Sequence, residues 1–251
     1  DAKAEIFSSF TSGGTAILPR DDVFFDHLQA EAKKAGSSHI ISFGTHPEST
    51  FRLTQAKRVK NGLRLTIDCH CDEDDTQTRS ITFSLAMTAR HWAVNAACAL
   101  AMCAAAGLDV RTAAAKLSGF GDLPGRGKTF GLTIGGHPVS LIDDSYNAGP
   151  TSMKAALDNL AELPGKHGVI LSDMLELGNF ATQAHLALAT QISEAGISWV
   201  VAIGPQMAEM ADFLPVGMNC ICHPNSTAAL SALDQDLALL AEHTDNLLVK
   251  G

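Results

Sequence analysis

Leu141-Ile-Asp-Asp-Ser-Tyr-Asn-Ala-Gly-Pro150, running on into Thr151-Ser-Met-Lys-Ala-Ala-Leu157, is the stretch that decides the fold. An apolar run of strand character ends on two carboxylates, and a Gly-Pro turn then opens a segment with apolar residues at helical spacing. Strand, turn and helix in that order make the repeating unit of a parallel α/β sheet. The free amides and dipole at such a helix start favour an anion, and carboxylates at the strand end suit ribose hydroxyls or a metal. The same residues also make an Asx turn with a helix cap, and spacing alone leaves both readings open.

Outward from this unit the pattern repeats. Strands are predicted at 139–142, 168–171, 199–203, 219–222 and 246–249, with amphipathic helices at 152–163, 181–195, 206–213 and 226–241 filling the gaps. Such alternation implies a sheet covered on both faces, with ligands outside the carboxyl ends of its strands. Before Asp122-Leu-Pro-Gly125 the character is mixed. Strands at 15–18, 39–43, 51–56, 63–69 and 80–85 and helices at 21–35, 91–106 and 110–117 are predicted there, with Asn61-Gly62 as a hairpin turn. The domain boundary is placed near Pro124, giving units 1–123 and 124–251.

Composition narrows the class. With 46% hydrophobic and 18% charged residues, the chain can bury a large core and is not compositionally disordered. Eighteen basic against 27 acidic residues give a net charge of -9, which argues against a general nucleic-acid binder. No apolar run approaches the roughly 20 residues of a membrane span, so no membrane insertion is expected. The opening Asp1-Ala-Lys-Ala-Glu5 reads neither as a signal peptide nor as a translation start. The cysteines lack Cys-x2-Cys zinc spacing, and Cys69/Cys71 and Cys220/Cys222 read as reduced, buried thiols on strands.

Beyond Asp143 and Asp144, several residues carry possible chemistry. Pro124-Gly-Arg126-Gly-Lys128 sets two cations in a glycine-bearing loop, where a guanidinium can fork onto phosphate oxygens or simply remain solvated. Asp173 and Glu176 follow the strand at 168–171 and reach the sheet edge of Asp144, although capping of the next helix explains them equally well. His91 and Asn95, four apart on one helix face, make a polar edge or frame a flat purine. Tyr146 reads as a packing residue, and nothing in the 251 residues is a Walker-type phosphate loop.

Asp143-Asp-Ser-Tyr-Asn-Ala-Gly-Pro150, with Ser152-Met153 and Ala155-Ala156 behind it, resembles the signature of the Mur ligase family, in the spelling of the members that add D-alanyl-D-alanine. Ala2-Lys-Ala-Glu-Ile-Phe7, Arg90-His91 with Asn95, Gly125-Arg126, Asp173-Met-Leu-Glu-Leu-Gly178 with His185, and Leu247-Leu-Val-Lys-Gly251 follow in the family's order. The resemblance implies an α/β protein: the later part of a central ATPase domain, then a Rossmann-like C-terminal domain with a mostly parallel sheet. It implies a front section, outside this chain, with the UDP-sugar domain and the phosphate loop, so that these residues alone are expected to be inactive.

The implied reaction joins D-alanyl-D-alanine to UDP-N-acetylmuramoyl-tripeptide with ATP and Mg2+, through an acyl phosphate, in a monomeric cytoplasmic enzyme. Carried over by position, Lys3 matches a lysine that is carbamylated to a metal ligand, and His91 and Asn95 match the adenine helix. Arg126 matches a phosphate-side catalytic residue, Asp144 a ribose ligand, Asn147 a nucleotide- and substrate-facing residue, and Asp173 and Glu176 a substrate-facing loop. The sequence departs from the family pattern at Pro19, Ala89, Trp92 and Gly149, and Trp92 offers stacking where an amide is usual. Folylpolyglutamate synthase, another Mur ligase and a non-catalytic nucleotide-binding module are the alternatives.

Overall fold

The computed structural model describes residues 2–10, 13–60, 62–70, 79–87, 89–121 and 123–251, with Ala2 and Lys3 described by their backbone alone. Cys71 and Asn61 lie outside the described residues. The chain forms two compact units, Asp1–Gly121 and Asp122–Gly251.

In the N-terminal unit a 3-10 helix (Ala2–Ser9) precedes β1 (Thr15–Pro19), α1 (Phe25–Lys34), β2 (His39–Gly44), β3 (Phe51–Val59), β4 (Gly62–Cys69), β5 (Arg79–Leu85), α2 (His91–Ala105) and α3 (Val110–Leu117). The strands make one mixed sheet in the order β1-β2-β3-β4-β5, parallel from β1 to β3 and antiparallel from β3 to β5. Phe51, Leu63, Leu65 and Ile67 are buried beneath Ala93, Ala97, Leu100 and Ala101 of α2, where alanines let the helix backbone approach the sheet closely. The helix predicted from Asp21 starts later, at Phe25. Asp21 is drawn off, because its carboxylate accepts the backbone N–H of Thr45 at 2.7 Å and of His46 at 2.8 Å beyond the end of β2.

The C-terminal unit runs β6 (Lys128–Ile134), β7 (His137–Asp143), α4 (Pro150–Ala161), β8 (His167–Ser172), α5 (Ala181–Glu194), β9 (Ile197–Ile203), α6 (Pro205–Ala211), β10 (Asn219–His223), α7 (Ser226–Ala241) and β11 (Asn246–Lys250). Its sheet has the order β10-β9-β8-β11-β7-β6, parallel throughout except where β6 pairs antiparallel with β7. The alternation read from sequence omits β6. That strand is an edge whose residues are mostly solvent-exposed, so it has no inside-outside pattern to detect. Its available signal is Gly135-Gly136, both at positive φ in a two-residue hairpin turn.

Adjacent strand residues serve opposite faces. Val200 and Leu248 join the cluster under α4, α5 and α6, whereas Val201 and Leu247 join the cluster under α7. Both faces are thus covered, as central parallel strands require. The last strand in sequence, β11, is inserted between β7 and β8. This crossover brings the carboxyl ends of three strands together, at Asp143, Lys250 and Ser172.

Leu171, fully buried in β8, is the test of this core. Leu171→Ala is expected to cost about 2–5 kcal/mol through lost transfer energy and the cavity left behind. Urea unfolding followed through Trp199, the tryptophan of this unit, measures the shift.

Candidate functional site

The carboxyl ends of β7, β11 and β8 form an edge on which most of the sequence-predicted residues of this unit converge. Asp143 and Asp144 leave β7 together, but the structure gives them different tasks. Asp143 makes the turn. Its carboxylate accepts Ser145 Oγ–H at 2.6 Å, Ser145 N–H at 3.3 Å and Gly125 N–H at 2.9 Å. Burial pushes the Asp143 carboxyl up, yet these hydrogen bonds and the charge of Lys128 together outweigh it and hold the group below its ordinary value.

Through Asp143 the glycine loop is fastened to the strand end. Gly127 N–H donates to Asp143 O at 2.8 Å, and Tyr146 N–H donates to Gly125 O at 2.9 Å. Gly125 has φ 71, and a Cβ there would press on the Tyr146 backbone nitrogen at 3.1 Å, so the loop can close this tightly only with glycine. Arg126 is thereby set 3.9 Å above the ring of Tyr146, in cation-π geometry. Tyr146, read from sequence as a packing residue, is 67% exposed; its ring is a shelf for Arg126 and takes no part in the core.

Asp144 points elsewhere. Its Oδ2 accepts from Lys250 Nζ at 2.6 Å, and the same ammonium donates to Asn147 O at 2.9 Å. The Lys250 side chain is 3% exposed and that of Asp144 15%, so the pair is largely withdrawn from water. Asp144 Oδ1 has no protein partner among the described residues. One oxygen is anchored while the other remains to accept a hydroxyl. Lys250 lies in the quoted Leu247–Gly251 stretch, yet the sequence reading gives it no role. The available signal is a lysine directly after the apolar run Leu247-Leu-Val249 of a central strand, where a cation needs a partner.

Asn147 is exposed, and its Oδ1 accepts the next backbone N–H, from Ala148, at 2.9 Å. Across β11, Asp173 caps α6: its two oxygens accept the N–H groups of Met207 at 2.8 Å and Gln206 at 3.3 Å. This is the capping alternative, realised on a helix further along the chain. Gly204, at φ 108, clears the way, since a Cβ there would collide with the Asp173 carboxyl. Glu176 is exposed at φ 62, a left-handed conformation unusual for glutamate, in the segment before α5.

His185, wholly buried in α5, holds that segment from below. Its Nε2 accepts Met174 N–H at 2.8 Å, so the ring proton sits on Nδ1 and is donated to Ala181 O at 2.7 Å. In the N-terminal unit, His91 opens α2 half-buried, its ring 5.1 Å from that of Trp92, and Asn95 is exposed one turn on. The side chain of Lys3 lies outside the described residues. Among the described residues no group of three or more His, Cys, Asp or Glu converges as a metal cage.

Three substitutions test the site's framework. Lys250→Met strands a carboxylate and is expected to cost about 3–5 kcal/mol; adding Asp144→Asn should restore part of that, so denaturation of the four proteins gives a non-additive cycle. Asp143→Asn should cost roughly 1–2 kcal/mol at neutral pH. Because the folded-state pKa of Asp143 is depressed, its advantage over the asparagine variant is present above the ordinary carboxyl value of 3.8 and is lost as pH falls through the lower folded value. Unfolding midpoints measured against pH record this.

Residues 1–103 match the family description "Mur ligase middle domain", and residues 126–251 match "Mur ligase, glutamate ligase domain". A UDP-N-acetylmuramoyl-tripeptide--D-alanyl-D-alanine ligase of Escherichia coli K12 is 30% identical over 251 residues, all of this chain and 52% of that protein. The Bacillus subtilis protein of the same name is 29% identical over 214 residues, covering 84% of this chain and 43% of that protein. Among solved structures, MurF from Acinetobacter baumannii superposes with a TM-score of 0.81 at 25% identity, over 100% of this chain and 51% of that one. MurF of Thermotoga maritima has the same fold, with a TM-score of 0.75 at 20% identity over 99% of this chain and 52% of that one. The chain spans about half the length of the curated relatives it matches.

Proposed function

The chain belongs to the Mur ligase family, and from that premise we propose that it is the middle-to-C-terminal part of an ATP-dependent ligase joining D-alanyl-D-alanine to UDP-N-acetylmuramoyl-tripeptide. The observation that carries the reading is the edge formed by Arg126, Asp144 and Lys250, which offers an anion-binding guanidinium and one open carboxylate oxygen at the ends of parallel strands. In the proposed reaction the tripeptide carboxylate takes the γ-phosphoryl group of ATP. The amine of D-alanyl-D-alanine then attacks the acyl carbon, phosphate departs with the C–O bond pair, and the amine proton passes to solvent.

This chain's residues suit the closing side of such a site. Asp144 Oδ1 accepts a ribose hydroxyl, and Arg126 leaves its tyrosine shelf to spread charge from the phosphates. His91 and Asn95 border the adenine. Asn147 and Glu176 face the acceptor peptide, with Asp173 fixing the segment that carries Glu176. Magnesium and a carbamylated Lys3 belong to the same proposal. The described residues offer no cage of three or more ligands for the ion. A monomer in the cytoplasm is the proposed state; separately, no described helix is long and apolar enough to cross a membrane. No nucleic acid is a partner, and these 251 residues alone are proposed to be inactive because they lack a phosphate loop.

The decisive measurement is phosphate release by the full-length protein, which should require ATP, the UDP-linked tripeptide and D-alanyl-D-alanine together. Release driven by a single amino acid in place of the dipeptide would reassign the substrate within the family. Arg126→Ala should lower kcat/KM at least about 100-fold while leaving the unfolding midpoint unchanged. An unchanged rate removes the role given to Arg126.

A further inference from the structure

β10 is the outer strand of the C-terminal sheet, at the opposite edge from β6. Four strand spacings separate it from β7, roughly 19 Å in all, so it stands apart from the Asp144 edge. Cys220 and Cys222, two apart on this strand, share a face, and their sulfurs lie 3.9 Å from one another. Ile221 between them turns to the opposite face and joins the cluster under α7. The sequence reading takes both thiols as buried, and the edge position changes that: Cys220 is half-buried beside the cluster under α6, and Cys222 is exposed.

The sulfur separation discriminates between the chemistries open to a dithiol. With metal-sulfur bonds of about 2.3 Å, sulfurs 3.9 Å apart subtend roughly 116° at a shared cation, close to the tetrahedral angle. The chelate therefore needs no movement of the strand. A disulfide needs the sulfurs at about 2.05 Å and the Cα atoms within roughly 6.8 Å. Same-face residues i and i+2 of a strand stand about 6.6 Å apart, inside the Cα range but well beyond the roughly 4.5 Å a disulfide allows between Cβ atoms, so oxidation would pull β10 out of register with β9.

We propose that Cys220 and Cys222 form a two-thiolate chelate for a thiophilic divalent d10 cation, of which zinc and cadmium are the probes, with water completing the tetrahedron. His223, the next residue, is no third ligand, because it faces the other way and its Nε2 is tied to Asp236 of α7 at 2.6 Å. As each sulfur-metal bond forms, the S–H proton passes to solvent, so two protons leave per cation bound and no electrons are transferred. Burial first, then the charge and hydrogen bond of Cys222, push the Cys220 thiol up to about 12. A cation between the two sulfurs replaces thiolate repulsion with attraction.

The experiment is titration of the reduced chain with cadmium, read by thiolate-to-metal absorption, and with zinc, read by competition against a chromophoric chelator. One equivalent should bind, with affinity rising about 100-fold per pH unit through the neutral range, the signature of two released protons. Cys222→Ser and Cys220→Ser should each weaken binding at least about tenfold and reduce the pH dependence to one proton. Cys98→Ser and Cys71→Ser should change neither. The exposed position of Cys222 means that its variant tests the site without disturbing the core. A one-proton slope in the parent chain, loss confined to Cys222→Ser, or loss on Cys71→Ser would each overturn the chelate. So would conversion of the pair to an intramolecular disulfide by a small-molecule disulfide oxidant while the β9-β10 amide protection persists.

Discussion

The ion pair between Lys250 and Asp144 is the constraint around which the C-terminal unit is arranged. A lysine at the end of a central strand is costly to bury unless its ammonium finds acceptors, and here it finds the Asp144 carboxylate and the Asn147 carbonyl. Both acceptors lie on the turn that follows β7, the strand beside which β11 runs, so the pair ties the chain leaving β7 to the end of β11. The turn from Asp144 to Asn147 wraps the ammonium before α4 begins. The pair is better regarded as a specifier of geometry than as a source of stability, since apolar side chains of equal volume would pack there at lower desolvation cost.

Around this pair, three carboxylates at one sheet edge do different work because each meets different donors. Asp143 is saturated by a hydroxyl and two backbone amides and serves as a local clamp on the glycine loop. Asp173 is saturated by the start of α6 and ties two successive βα units together. Asp144 alone is half-engaged, held by one oxygen with the other open. A carboxylate fixed in this way can accept a ligand hydroxyl with little reorganisation, which separates a binding residue from its structural neighbours more sharply than charge or position does.

Most of the strands and helices were legible because buried parallel strands and amphipathic helices impose strong periodicities, and Val139 to Ile142 or Ala181 to Ala195 could hardly be read otherwise. The antiparallel β6 was not, since an exposed edge has no alternation to display. The start of α1 was misplaced because the carboxylate of Asp21 prefers distant amides to a helix cap, a choice local sequence does not record. The candidate site was legible as a set of strand ends. The parts played by Asp144 and Lys250 were not, because they depend on the insertion of β11 between β7 and β8, and the tasks of Asp143 and Tyr146 were not, because they depend on how the Gly125 loop folds back on the strand end; no local window contains either.

The arginine resting on Tyr146 has a consequence for the timing of any encounter with an anion. A free arginine samples many rotamers and gives up roughly 1–2 kcal/mol of conformational freedom when it is immobilised. Arg126 has surrendered part of that freedom beforehand to an aromatic face that holds it weakly and offers no competing acceptor. The ring therefore acts as a rest position that shortens the search, and Asn or Leu at residue 146 would leave the arginine chemically unchanged but slower to find its partner.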